Sequence, residues 1–360
     1  MDSSQKDNYS PSLKSTLSFL LPSLLGLLLF VTPVKYEGNL TLIIAIFSKF
    51  LGKTLESYLP LITCLLILSS SILSFFSFFK TFKNPSYFQK LFKQSLFWTL
   101  VRGLGGLIAF CAFFKLGPNF ISSSETGGFI LYELLGLLFC VFFLAGFLLP
   151  LLLNYGLLEF CGVLFAPFMR PFFTLPGRAS IDCLASCLGD GTIGILLTNK
   201  QYEEGFYTQR EASVIATTFS LVSITFTIVI LSMVRLDQYI GPYYLAIALS
   251  TLATAIICPR IPPLSRKKDI YYNGKKASNL EENIPKGYSR IAWSFRLACQ
   301  ATTKNKGLSQ FFIEGIKNVL DMWFAVLPIV MCFGSLALII AKYTSFFKLL
   351  GTPFIPLLEL

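Results

Sequence analysis

The chain alternates long, uncharged apolar runs with short polar connections. A hydrocarbon core about 30 Å thick needs about 20 apolar residues per helical crossing, and runs of that length recur. Leu17–Val34 is the first, flanked by Lys14 and Lys35. Leu59–Phe79 is a second, Ser95–Phe114 a third interrupted by Arg102, and Gly128–Leu149 a fourth carrying Glu133. Between the first two, Asn39–Tyr58 mixes apolar residues with Lys49, Lys53 and Glu56, which reads as a helix on the membrane surface or tucked against the bundle. Ala212–Val234 and Ile240–Cys258 are two further uncharged runs, and Trp323–Ala341 is the last. This pattern predicts an all-α, polytopic membrane protein with about seven to nine transmembrane helices.

The pattern breaks after Pro150. Leu151–Phe173 contains Glu159, Pro167, Arg170 and Pro171, and Ala179–Leu197 is rich in small residues and holds Asp182 and Asp190. Neither reads as a plain lipid-facing span. Basic residues in the connections set orientation. Lys80 with Thr81–Gln94 supplies four Lys and no acid, and Arg260–Gly315 supplies eleven basic residues against four acids, so both are expected in the cytoplasm. Lys115–Gly127, with one Lys and one Glu, is expected outside. Counting crossings from a cytoplasmic N-terminus, Leu151–Lys200 must begin and end on the cytoplasmic side. The Pro and Gly breaks favour a re-entrant hairpin over two full crossings. Within the basic loop, Pro285–Asn305 reads as an amphipathic helix on the membrane face, with Ile291, Trp293, Phe295 and Leu297 apolar.

Composition sharpens this picture. Hydrophobic residues make up 54% of the 360, charged residues only 14%, and Phe occurs 37 times. So few charges cannot solvate so much apolar surface, which excludes a soluble enzyme, a disordered chain and a disulfide-stapled secreted domain. The net charge of +11 sits between the apolar runs, as topology requires, and does not point to nucleic acid. The chain has no His, which removes imidazole-based catalysis and His-ligated metals. Nine Cys include no C-x-x-C pair and lie mostly in apolar runs, where Cys acts as a small hydrophobe. No phosphate loop, metal cluster or nucleophile-plus-base set is present, so neither enzyme activity nor a cofactor or metal is expected.

Candidate chemistry concentrates in Ser180–Asn199, SIDCLASCLGDGTIGILLTN. Asp182, Ser186 and Asp190 share one helix face at i, i+4 and i+8. Gly189, Gly191 and Gly194 then interrupt the helix and free backbone groups for a ligand. The alternative is that Asp190 and Gly191 simply turn the chain. The substrate-binding candidates here are Asp182, Ser186, Gly189, Asp190, Gly191, Thr192 and Asn199. Thr217, Ser220 and Ser223 join them from a hydroxyl stripe, Ser213 to Thr227, that covers about 120° of one helix. That stripe either lines a polar pathway or supports close helix packing. Arg102, Glu133, Glu159 and Arg170 are the remaining in-membrane charges. Opposite signs invite pairing inside the bundle, Glu159 with Arg170 across a broken helix among them.

The stretch LPGRASIDCLASCLGDGTIGILLTNKQYEEGFYTQREASVIATTFSLVSITF, Leu175–Phe226, resembles the nucleoside-recognition Gate domain of bacterial multipass membrane proteins, in particular the YjiH-like branch. FLLPSLLGLLLFVTPV near the N-terminus and the final LGTPFIPLLEL resemble that branch too. The resemblance implies an inner-membrane protein with two related helical halves, similar to parts of concentrative nucleoside transporters. A weak internal repeat agrees with it: Leu152–Phe172 and Leu338–Leu357 each run from aliphatic residues through a Tyr to a P-F ending. The second copy then stops short of its hairpin. The expected organisation is an N-terminal transmembrane region at 1–127, a Gate-like region with the broken hairpin at 128–259, a basic cytoplasmic loop at 260–315 and an incomplete second repeat at 316–360. The expected function is a secondary transporter or permease for a nucleoside-like or other small polar solute, with a coupling cation and a homo-oligomer left open. The alternative is a non-transport inner-membrane scaffold that docks partners through the basic loop.

Overall fold

The computed structural model describes residues 11–36, 39–79, 87–188, 191–219, 240–275, 284–285, 287–303, 307–346 and 352. Helix α1 spans Leu13–Phe30, capped by Ser12 and Ser15 in a reciprocal capping box. A two-residue gap leads to strand β1, Pro33–Tyr36, paired antiparallel with β2, Asn39–Leu42. Helix α2 covers Ile43–Leu55, α3 Leu59–Phe79, the short α4 Tyr87–Phe92, and α5 Leu96–Phe114. A π-helical turn, Ile130–Leu134, feeds α6, Leu135–Leu148. Then come α7, Pro150–Leu153, and α8, Leu157–Phe168, which ends in a second π turn at Met169–Phe173. Helices α9, Ala179–Leu188, and α10, Gly191–Glu203, are short, and α11 covers Gln209–Thr218. Helix α12 spans Ile240–Ile257 and α13 Arg290–Thr302. A third π turn, Met322–Val326, joins α14, Leu308–Asp321, to α15, Leu327–Tyr343.

The protein is therefore an all-α polytopic membrane protein, with one small β-hairpin. Six helices among the described residues are long and apolar enough to cross a membrane: Leu13–Phe30, Leu59–Phe79, Leu96–Phe114, Asn119–Leu153, Pro242–Arg266 and Leu308–Tyr343. The third expected run matches within one residue and the second matches at both ends, while the helix of the fourth begins nine residues earlier, at Asn119, and ends four later, at Leu153. The first is shifted: the capping box starts the helix four residues early, and Pro33, lacking an N–H, begins a strand where the apolar run continued. The surface segment Asn39–Tyr58 is part strand, part helix. The final span starts upstream, because Leu308–Asp321 is amphipathic helix and not loop. Of the run Ala212–Val234, the helix begins at Gln209 and residues 220–234 lie outside the described set. Half of the second copy of the repeat, residues 347–351 and 353–357, likewise lies outside it.

The chain forms two compact units, both discontinuous in sequence: residues 1–46 with 148–312, and residues 47–147 with 313–360. In the second unit α3 and α5 pack together and α15 packs on α5. Trp323 stacks on Phe139 at 4.3 Å between centroids and donates its indole N–H to the Phe139 carbonyl at 3.2 Å. Ser70 donates to the Phe324 carbonyl at 2.6 Å, satisfying an oxygen within the π turn.

In the first unit α13 packs on α8 and α1, and the Phe19 ring lies 5.7 Å from Phe160 and 5.9 Å from Phe295. The segment expected as an amphipathic helix is helical over Arg290–Thr302 and packs one face on these two helices. Ile291 and Trp293, two positions apart, fall on different faces: Ile291 is exposed and Trp293 buried.

Candidate functional site

The broken region folds as two antiparallel helices, α9 and α10, packed on each other. At 10 and 13 residues both are too short to cross a bilayer. The hairpin enters through Gly177. A Cβ there would lie 2.1 Å from the Gly162 carbonyl oxygen and 2.5 Å from the Ala166 nitrogen, so only glycine lets the entry sit directly on the α8 backbone. Further along, Gly194 faces Ser186, and an added Cβ would come within 2.4 Å of the serine Cβ. Asp182 and Ser186 both lie on the face turned to α10, as their spacing predicts, and both are buried.

Asp182 is fully buried and accepts from three side chains. Gln201 donates to Oδ1 at 2.7 Å; Tyr207 and Thr198 donate to Oδ2 at 3.0 and 3.2 Å. Thr198 also donates to the Gly194 carbonyl at the shorter distance of 2.8 Å. Burial pushes the Asp182 carboxyl up to about 7, against the three donors and the Arg178 charge, which pull it down. Tyr207 is raised well above its ordinary range, first by burial and then by Asp182, so it keeps its proton.

Charged groups surround this core. Arg178, one residue before α9, bridges to Glu159 at 3.3 Å, and its guanidinium carbon lies 3.7 Å from the Phe206 ring centroid. Arg170, in the second π turn, bridges to Glu211 at 2.9 Å. The other Glu211 oxygen accepts from the Thr208 N–H at 2.9 Å, closing the capping box that starts α11. Thr208 and Arg210 both reach Asp269, at 3.3 and 3.2 Å, and Thr208 forms a β-bridge with Tyr271. Arg260 donates to the Phe172 and Pro171 carbonyls at 2.9 and 2.5 Å, covering the end of the π turn.

This corrects the expected pairing. Glu159 and Arg170 do not pair with each other; each takes a partner from another element, Arg178 and Glu211. Arg102 does not pair with Glu133 either. Arg102 is buried and donates to the Ser74 hydroxyl at 3.0 Å and the Leu91 carbonyl at 3.2 Å, while Glu133 sits exposed on the first π turn.

The structure does not bring every candidate together. Asn199 is exposed and donates to Glu203 at 3.1 Å, away from Asp182. Thr217 is exposed and donates to its own helix at Ser213. Gly191 opens α10; Gly189, Asp190, Ser220 and Ser223 lie outside the described residues, as does the Thr192 side chain. The sequence reading missed Arg178, Thr198, Gln201, Tyr207 and Glu211. One signal for two contacts was present: about Asp190, positions 182 and 198 are eight residues away on either side, and 186 and 194 four. A helical hairpin folded there pairs them. Among the described residues no three His, Cys, Asp or Glu side chains gather as a metal would need.

The profile of the Gate family, described as nucleoside recognition, matches residues 135–236, which include α9, α10 and the whole Asp182 cluster. An uncharacterized protein of Alkalihalophilus pseudofirmus is 44% identical over 347 residues, spanning 96% of this chain and 75% of that protein. No solved structure matches. With the broken hairpin, the buried cluster and these similarities in place, the chain belongs to the family of multipass membrane proteins that carry the nucleoside-recognition Gate domain.

Proposed function

We propose that this protein is a secondary transporter or permease that carries a nucleoside-like or other small polar solute across the bacterial cytoplasmic membrane. The observation that carries this reading is the α9–α10 hairpin within the Gate match: two helices too short to span, held together by a buried carboxylate cluster. Helices broken at depth free backbone N–H and C=O groups for a polar solute, and transporters build sites from such segments. In this reading Gly189, Asp190 and Gly191, between the two helices in sequence, meet the solute or a coupling cation. The Asp182 cluster keeps the two helices in register.

Thermal-shift measurements on the purified protein test this, with nucleosides, bases and organic acids as ligands. A bound solute stabilises the folded protein by mass action, by about 2.7 kcal/mol at a hundredfold excess over its dissociation constant, and so raises the melting temperature. A nucleoside is expected to do so, and Asp190→Asn to remove the response while leaving the ligand-free melt unchanged. If no class of solute shifts the melt, the transport reading fails. The proposed orientation places Asn119 outside and Lys275 in the cytoplasm. Cysteines introduced at these positions in a Cys-free background are expected to react with an impermeant reagent from outside only at 119. Labelling at 275 reverses the topology.

A further inference from the structure

Arg102 is the unusual charge of the second unit. It lies inside the apolar helix α5, is 2% exposed, and has no acidic partner among the described residues. Among the described residues only one of its terminal nitrogens is engaged, by the Ser74 hydroxyl and the Leu91 carbonyl, and its Nε–H is buried without a partner. A cation in a membrane span is costly unless a counter-charge or water meets it, and neither bonded group carries charge.

Two further donors are unspent on the neighbouring helix. Ser74 accepts from Arg102, and among the described residues its own hydroxyl proton meets no acceptor; Ser77, one turn on along the same buried face of α3, has a buried hydroxyl without a partner among them. The nearby Ser71 is different, because it donates to the Arg102 and Ile67 carbonyls. The site is close to one end of both helices. Arg102 is six residues past Leu96, roughly 9 Å along α5, and Ser74 and Ser77 are five and two residues before Phe79, roughly 8 and 3 Å along α3. An arginine side chain reaches the interface from that depth. The connection that joins these two ends carries Lys80, Lys83, Lys90 and Lys93 with no acid.

We propose that Arg102, Ser74 and Ser77 form a binding site for a phosphate oxyanion at the cytoplasmic ends of α3 and α5. A phosphate offers the counter-charge that Arg102 lacks and enough oxygens to accept from a guanidinium edge and two hydroxyls together. The lysine-rich connection raises the local concentration of such anions. The phosphate comes either from a phospholipid headgroup or from a free anion. This proposal does not depend on the Gate region or on transport.

The test uses the full chain, delipidated in detergent, and reads its melting temperature in two arms. The first adds short-chain phosphatidylglycerol, with diacylglycerol of equal chain length as control. The second adds inorganic phosphate, with sodium chloride at matched ionic strength as control. A rise over control in the first arm alone assigns a lipid headgroup, and a rise in the second assigns a free anion. Arg102→Gln is expected to abolish the rise. Ser77→Ala, which leaves both Arg102 hydrogen bonds in place, is expected to weaken binding about 2- to 10-fold, and it decides the matter if Arg102→Gln does not fold. No rise over either control, or a rise that survives both substitutions unchanged, overturns the proposal.

Discussion

Asp182→Ala is expected to destabilise the first unit by about 3–5 kcal/mol, seen as a large fall in the melting temperature in detergent. The carboxylate is fully buried, and its removal leaves the Gln201 amide and the Tyr207 hydroxyl as buried donors without acceptors, each costing about 1–3 kcal/mol. Thr198 loses less, because its hydroxyl keeps the Gly194 carbonyl. Arg178 also loses a nearby negative charge, which adds to the cost. Asp182→Asn behaves differently. The Gln201 amide oxygen is buried without a partner, so a flipped Gln201 amide accepts from an asparagine N–H while Tyr207 keeps its acceptor.

The pair of variants also separates charge from shape. Burial raises the Asp182 carboxyl to about 7 in the folded protein, whereas an unfolded aspartate titrates near 3.9. The folded state therefore holds this proton more tightly. The group favours folding at low pH, and that advantage is lost as pH rises from about 4 to about 7. Wild type is expected to lose stability over this window relative to Asp182→Asn, whose amide does not titrate. Parallel melting curves for the two proteins from pH 5 to pH 8 contradict the assignment.

Gly177→Ala has the second large effect, about 3 kcal/mol. The new methyl meets backbone on both sides, the Gly162 carbonyl at 2.1 Å and the Ala166 nitrogen at 2.5 Å, and no flexible side chain is there to move aside. The hairpin entry must lift from α8, which pulls Arg178 from Glu159. Gly103→Ala is the matched control: nothing lies within 4 Å of its added methyl, and alanine favours a helix interior by about 1 kcal/mol. Comparable losses of melting temperature in the two variants contradict the close approach.

The apolar spans were readable where nothing but hydrophobicity decided them. Leu59–Phe79, without a charge, matches its helix at both ends. Leu17–Val34 was misplaced because its ends depend on local chemistry, a serine capping box and Pro33, to which a hydropathy run is blind. Leu308–Asp321 was hidden because Glu314, Lys317 and Asp321 made it look like loop, although it turns an apolar face at helical spacing. At the candidate site the i, i+4 spacing placed Asp182 and Ser186 on one face. It could not say that the face is packed and its carboxylate satisfied. The charge partners were out of reach for a different reason. Arg170 finds Glu211 41 residues away, and local spacing along one broken helix offered Glu159 instead.

The three π turns carry a consequence for variation in this family. Each holds one residue more than an α-helical turn would, and those at Ile130–Leu134 and Met322–Val326 lie inside long apolar helices. Deleting one residue from Met322–Val326 would let the backbone from Leu308 to Tyr343 close as continuous α-helix. The same deletion would rotate everything beyond it by about 100°. Met331, Cys332 and Ser335, now almost wholly buried, would turn toward lipid. Insertions and deletions that leave the hydropathy profile untouched are therefore not silent in these helices, because the phase of each helix is stored in its bulge.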